Sequence, residues 1–87
     1  MSEKTIGTVF AAIAKVKKIN PETIRLDSTF EELKMDSLDG LDVFFELEEE
    51  FDLTIPDDRA RSFRSVIDIV EEIQKQLFKP DIKAVQD

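Results

Sequence analysis

No covalent staple is open to this chain. It has 87 residues and no cysteine, which excludes disulfides, thiolate-bound metals and a cysteine nucleophile. A domain this short buries only about 60% of the surface its unfolded chain exposes, so apolar packing must hold it together unaided. The 41% hydrophobic content, seven Phe included, suffices for a core and argues against disorder. Only two Gly and three Pro are present, which favours helices with few interruptions. The expected fold is all-α: a small four-helix bundle of three main helices and one short one, with a long first loop.

The chain divides into segments on that reading. Glu3 to Lys18 reads as an amphipathic helix, with Ile6, Phe10, Ile13 and Val16 at helical spacing. Lys15, Lys17 and Lys18 fall in its last turn, where cations suit the helix dipole. Asn20-Pro21 is expected to end it, because the residue before a proline is driven out of helical geometry. Ala12-Ile13-Ala14 could pass for a signal-peptide cleavage site. The apolar stretch before it is short, however, and Glu3 offsets Lys4, so a helix of a cytoplasmic protein is expected instead. No apolar run approaches the roughly 18 residues of a membrane span. Glu22–Met35 has no sustained period; Ile24, Leu26, Phe30 and Leu33 are spaced to pin a long loop onto the core. A loop of that length inside a compact domain is usually functional.

From Asp36 to Asp52 the pattern is strongly helical, with Asp36 as N-cap and Asp39 three residues on, as in a capping box. Pro56-Asp57-Asp58 is expected to start a short helical turn reaching about Arg61. Ser65 is placed to cap a last helix carrying Val66, Ile69, Val70, Ile73 and Leu77, which Pro80 stops. Residues 1–79 thus form one domain, with 80–87 a flexible tail.

Charge narrows the function. Lys+Arg total 12 against 20 Asp+Glu, a net charge of −8. Such a chain is repelled by nucleic acid and anionic membrane and suits a basic protein partner. Histidine is absent, removing the commonest acid–base side chain and metal ligand. Ten of the 20 acids lie between Asp36 and Asp58, without one Lys or Arg among them. Wound at about 100° per residue, Asp36–Asp52 separates its apolar residues into two arcs. Val43, Phe44, Leu47 and Phe51 form one, with Gly40 above them; Leu38, Leu41 and Phe45 form another, roughly 140° away. A surface helix needs one buried face. The second arc is either covered by the long loop or is a docking stripe, and a stripe ringed by one sign of charge resembles a steered partner surface.

Other uses of the acids fail. Aligning Gly40 with position 6 of an EF-hand loop puts Met35 at position 1, and starting at Asp36 puts Leu38 at position 3, so no calcium loop forms. Pairs such as Asp39/Asp42 could serve glycoside chemistry only in a cleft that nothing in the sequence signals. A hydrolase acting through Ser37 has no His as its base, and a Lys base has no supporting motif.

One serine then stands out. The run Asp36-Ser37-Leu38-Asp39, followed by Leu47-Glu48-Glu49-Glu50-Phe51-Asp52 and Ile55-Pro56-Asp57, resembles the acyl carrier protein family. The upstream Asn20-Pro21-Glu22 and Asp27-Ser28-Thr29-Phe30-Glu31-Glu32-Leu33 are similar to that family's loop, and the likeness covers about residues 3 to 78. It implies that Ser37 takes 4′-phosphopantetheine from coenzyme A, through a dedicated transferase that releases adenosine 3′,5′-bisphosphate. It implies that Asp36 assists the Mg²⁺-dependent transfer, and that the chain carries acyl groups as thioesters without being an enzyme. Partner contacts are expected at Leu38, Leu41 and Phe45, with Asp39, Asp42, Glu46, Glu48 and Glu49 meeting partner Arg and Lys. An acyl pocket is expected around Gly40, Val43, Phe44, Leu47 and Phe63, and the protein is expected to be a monomer. The competing reading is an unmodified acidic adaptor that docks on a basic partner.

The chain also departs from that family. Lys34-Met35 stands where Gly-Ala is common, Gly40 where Thr is common, and Phe45-Glu46 where Met-Ala is typical. Arg59, Arg61 and Arg64 make the third-helix region more basic than usual. These differences suggest a specialised carrier, with Gly40 widening the pocket entrance.

Overall fold

A computed structural model describes residues 3–77; the expected stop at Pro80 and the tail 80–87 lie outside them. The described residues form four helices, α1 (Glu3–Lys17), α2 (Ser37–Phe51), α3 (Asp57–Ser62) and α4 (Val66–Leu77), plus a 3₁₀ turn at Pro21–Thr23. The all-α bundle with one long loop and one short helix is the architecture that the periodicity predicts.

α1 packs against both α2 and α4. Val9 and Ile13 of α1 meet Val43 and Leu47 of α2 and Val66, Ile69, Val70 and Ile73 of α4, all wholly buried. Each such aliphatic side chain contributes roughly 1.5–3 kcal/mol when removed from water. Without staples, this cluster carries the stability of the fold. The amide of Gln74 donates to the buried hydroxyl of Thr5 at 2.9 Å and ties α4 to α1.

Three tight reversals are made without glycine. Lys18, Lys34 and Asp52 have φ of 58°, 57° and 54°, in the left-handed region that L-residues enter at a cost of roughly 1–2 kcal/mol. After each comes an apolar residue whose N–H reaches back five residues: Ile19 to Ala14, Met35 to Phe30 and Leu53 to Glu48. This is the Schellman closure of a helical turn, and Ile19, Met35 and Leu53 all pack on the core. Burying the apolar residue offsets the strain. α1 therefore ends at Lys17 through its own reversal, one residue short of the expected Lys18. Asn20-Pro21 instead opens the 3₁₀ turn, the Asn20 side chain accepting from the Glu22 N–H at 2.9 Å.

The long loop is more ordered than its lack of period suggests. Thr29 and Glu32 cap each other reciprocally, at 3.0 Å in both directions, and a single turn follows up to Lys34. Phe30 N–H donates to the Arg64 carbonyl, while Val66 and Ile67 N–H groups donate to Ser28 and Leu26. The loop is thereby laced to the start of α4, with Ile24 buried and Leu26, Phe30 and Leu33 packed on the core. Ser65 does not cap α4 with its hydroxyl; instead the Asp68 carboxylate accepts from the N–H groups of Arg64 and Ser65.

α3 buries none of its six residues. It is held by its flanks: Ile55 is buried and donates its N–H to Glu48 at 2.7 Å, and Gln76 donates to the Thr54 carbonyl. Arg59 donates to Glu72 at 2.8 Å. Glu72 is only 8% exposed; its second carboxylate oxygen takes a hydrogen bond from Gln76, so the buried charge is satisfied on both sides. Among the described residues no helix is long and apolar enough to cross a membrane.

Candidate functional site

α2 starts as its sequence predicts. Asp36, in extended geometry, accepts from the Asp39 N–H at 2.9 Å, and Asp39 accepts from the Asp36 N–H at 3.3 Å, closing the capping box. With that cap supplied, the Ser37 hydroxyl at the first helical position is exposed and has no hydrogen-bond partner among the described residues. The N–H groups of Ser37 and Leu38 lie in the first turn, where no intrahelical carbonyl can reach them. They and the helix dipole favour an anion at this point.

Lys17 of α1 braces the same turn. Its ammonium donates to Asp39 at 2.9 Å and to the Lys34 carbonyl at 2.8 Å. The Lys17 hydrogen bond, followed by the one from the Asp36 N–H, holds the Asp39 carboxyl below the ordinary carboxylate value.

Ser37 borders an open cleft of about 760 Å³ between the long loop, α2 and α3. Phe30 and Met35 of the loop, Gly40 and Phe44 of α2, and Ala60 and Phe63 at α3 give it apolar walls. Phe44 and Phe63 meet edge to face, with ring centroids 5.7 Å apart. Met35 stands before the N-cap, where an apolar side chain would ordinarily pack on the fourth helical residue. That residue is Gly40, which offers no side chain, and both positions face the cleft. A β-carbon built on Gly40 would meet only the Phe44 ring edge, at 4.0 Å.

The structure separates the expected pocket residues. Gly40, Phe44 and Phe63 line the cleft, whereas Val43 and Leu47 are wholly buried in the bundle core. Helical winding explains the difference: Val43 and Leu47 lie on the face of α2 that joins the core cluster, and Gly40 and Phe44 lie on the side that lines the cleft. The periodicity of α2 does not mark Phe30, Met35, Ala60 or Arg61, because all four lie outside that helix. The reciprocal Thr29–Glu32 cap, with its partners three residues apart, is a local signal from which the order of the loop could have been read.

The second arc of α2 is open to solvent. Leu38 is 71% exposed, Phe45 60% and Leu41 45%; the long loop leaves all three exposed, though Leu41 also lines the cleft with Phe30 and Met35. The acids beside them divide. Asp42 and Glu49 are exposed with no partner among the described residues. Asp39 is held by Lys17, Glu46 pairs with Lys15 at 3.2 Å, and Glu48 accepts from the Ile55 N–H. These three already have partners within the fold.

The site thus combines an exposed serine at a helix start, an apolar cleft beside it and an acidic apolar stripe. The family described as "Phosphopantetheine attachment site" matches residues 7–73. The chain is 40% identical over 68 residues to "Acyl carrier protein" of Clostridium perfringens (strain SM101 / Type A), covering 77% of this chain and 90% of that protein. It is 34% identical over 76 residues to "Acyl carrier protein, mitochondrial" of Dictyostelium discoideum, covering 86% of this chain. The chain spans 63% of the length of that Dictyostelium protein. The chain belongs to the acyl carrier protein family, and the cofactor of that family is 4′-phosphopantetheine. Acyl carriage, in company with a phosphopantetheinyl transferase and acyl-processing enzymes, is the work of that family.

Proposed function

We propose that Ser37 is the attachment point of 4′-phosphopantetheine. On this reading the chain delivers acyl groups to partner enzymes of fatty acid, lipid or polyketide-like synthesis and catalyses none of the acyl chemistry itself. The observation that supports the reading is the free Ser37 hydroxyl at the α2 start, on the rim of the apolar cleft. When bound, the group supplies a thiol that holds the acyl chain as a thioester.

The chain's own residues do the rest. Asp36 and Asp39 cap α2 and set the backbone of its first turn, which carries Ser37. In the transfer that oxygen forms a bond to the β-phosphorus of coenzyme A, and adenosine 3′,5′-bisphosphate leaves. The chain lacks His, and the hydroxyl proton passes to a base of the transferase, with Asp36 assisting the Mg²⁺-dependent step. The Ser37 and Leu38 N–H groups favour the resulting phosphodiester. Gly40, Phe44 and Phe63 offer the acyl chain a surface away from water.

Leu38, Leu41 and Phe45 anchor the partner, and the exposed Asp42 and Glu49 steer it toward the stripe. Single exposed pairs are weak, so steering shows mainly in association rate and salt sensitivity. Gly40, Phe45 and Glu46 fit a specialised carrier. Residence in the cytoplasm and a monomeric state belong to the same proposal.

The test is direct. The protein is incubated with coenzyme A, Mg²⁺ and a broad-specificity phosphopantetheinyl transferase, then weighed intact. One added phosphopantetheine on the wild type and none on Ser37→Ala is the expected result. No addition to the wild type, or addition that survives Ser37→Ala, overturns the assignment, and the former leaves an unmodified adaptor as the better reading.

A further inference from the structure

We propose that Arg61 is the cationic partner of the phosphodiester on Ser37, and that it draws the prosthetic arm along the cleft instead of out into solvent. The inference rests on the Ser37 reading above. Ser37 and Arg61 line the same cleft from two different helices, α2 and α3. The charged lining of that cleft is Asp36, Asp57 and Arg61, so Arg61 is its one cation among the described residues.

The other arginines nearby differ from it. Arg59, two residues earlier, is committed to the buried Glu72, and Arg25 pairs with Asp27. Arg64 is exposed and does not line the cleft. Asp57 lies four residues before Arg61, at a spacing that permits a helical ion pair, yet no such pair forms. The Arg61 side chain makes no hydrogen bond or ion pair among the described residues.

A phosphodiester brings what this cleft lacks. Attachment at Ser37 adds one negative charge to a cleft whose lining already holds the carboxylates of Asp36 and Asp57. The free N–H groups of the α2 start can take one side of the phosphate. The other side needs a donor from across the cleft, and a guanidinium fork matches two phosphate oxygens. Arg61 is the side chain positioned to provide it. An exposed pair of this kind is weak and falls with salt, so a docking partner can displace it and free the arm.

The experiment compares unmodified and phosphopantetheine-loaded protein, each checked by intact mass. The guanidinium Nε–Hε resonances are followed by nitrogen-15 NMR, and Arg61→Gln assigns the Arg61 signal. Loading is expected to shift Arg61 while leaving Arg25 and Arg64 in place, and the shift is expected to shrink as NaCl rises from about 0.05 to about 0.5 M. The phosphorus-31 resonance of loaded Arg61→Gln is expected to differ from wild type, with Arg61→Lys recovering part of the difference. An unmoved Arg61 signal on fully loaded protein overturns this inference and leaves the Ser37 reading intact. Failure to load the wild type, or loading that survives Ser37→Ala, overturns the Ser37 reading, and this inference falls with it.

Discussion

Replacing Gly40 separates two effects that the same position controls. Gly40 is the fourth residue of α2, and its N–H already donates to the Asp36 carbonyl at 3.0 Å. Its φ is negative, so an alanine can adopt the same backbone. The added β-carbon would meet nothing closer than the Phe44 ring at 4.0 Å, an ordinary van der Waals contact. The remaining term is helix propensity, which favours Ala over Gly by about 0.5–1 kcal/mol. For a domain of this size, Gly40→Ala is therefore expected to raise Tm by about 2–8 °C. Thermal unfolding followed by circular dichroism, with a urea titration to check that the m-value is unchanged, measures it. Gly7→Ala is the control: Gly7 is exposed in α1, and a β-carbon there meets nothing within 4 Å. It should stabilise by a similar amount without touching the cleft. Gly40→Thr extends a larger side chain at the cleft and is expected to shift acyl-chain preference toward shorter or thinner chains. An unchanged or lowered Tm for Gly40→Ala would refute the stability half. Unaltered chain preference in Gly40→Thr would refute the idea that this glycine holds the entrance open.

Other consequences are sharper still. Leu47→Ala should cost about 2–5 kcal/mol in urea denaturation, because Leu47 is a core residue rather than a cleft residue; a loss under about 1 kcal/mol would contradict its burial. Phe45→Ala should leave stability within about 0.5 kcal/mol, since the ring is exposed, while slowing association with an acyl-processing enzyme in a binding assay. Lys34→Gly should stabilise by up to about 1 kcal/mol, glycine being free of the left-handed penalty that Lys34 bears at φ 57°; destabilisation in urea would mean that the penalty is absent. Asp39 gives a pH dependence of defined sign. Its carboxyl titrates below the ordinary carboxylate value, chiefly through Lys17, so its contribution is present above the unfolded value of about 3.9. That contribution is lost as pH falls through the lowered folded value. Lys17→Gln should move the Asp39 titration upward in an NMR pH series and reduce the acid sensitivity of unfolding. An unmoved titration would show that the Asp36 N–H alone sets it.

Local interactions made much of this protein legible in its sequence. Helix spans follow from apolar residues at three- and four-residue steps, and the α2 cap from an Asp three residues before another Asp. Both are contacts within a turn or two, which spacing alone specifies. Ser37 stood out in the same way, because its flanking residues lie on one short stretch. Less visible were the three reversals at Lys18, Lys34 and Asp52, since nothing but the following apolar residue betrays a left-handed turn without glycine.

What the sequence determined by itself was therefore the set of helices, the two apolar arcs of α2 and the serine at its start. Tertiary structure alone decided which arc is covered, that Asp39, Glu46 and Glu48 are engaged by the fold, and that Val43 and Leu47 belong to the core. It alone brought Phe30, Ala60 and Arg61 to the cleft beside Ser37. The physical reason is range. Periodicity reports which side of one helix is apolar, but a cleft is a relation between segments far apart in the chain. Their meeting depends on how α3 is slung between Glu48, Glu72 and Gln76, which no single helix encodes.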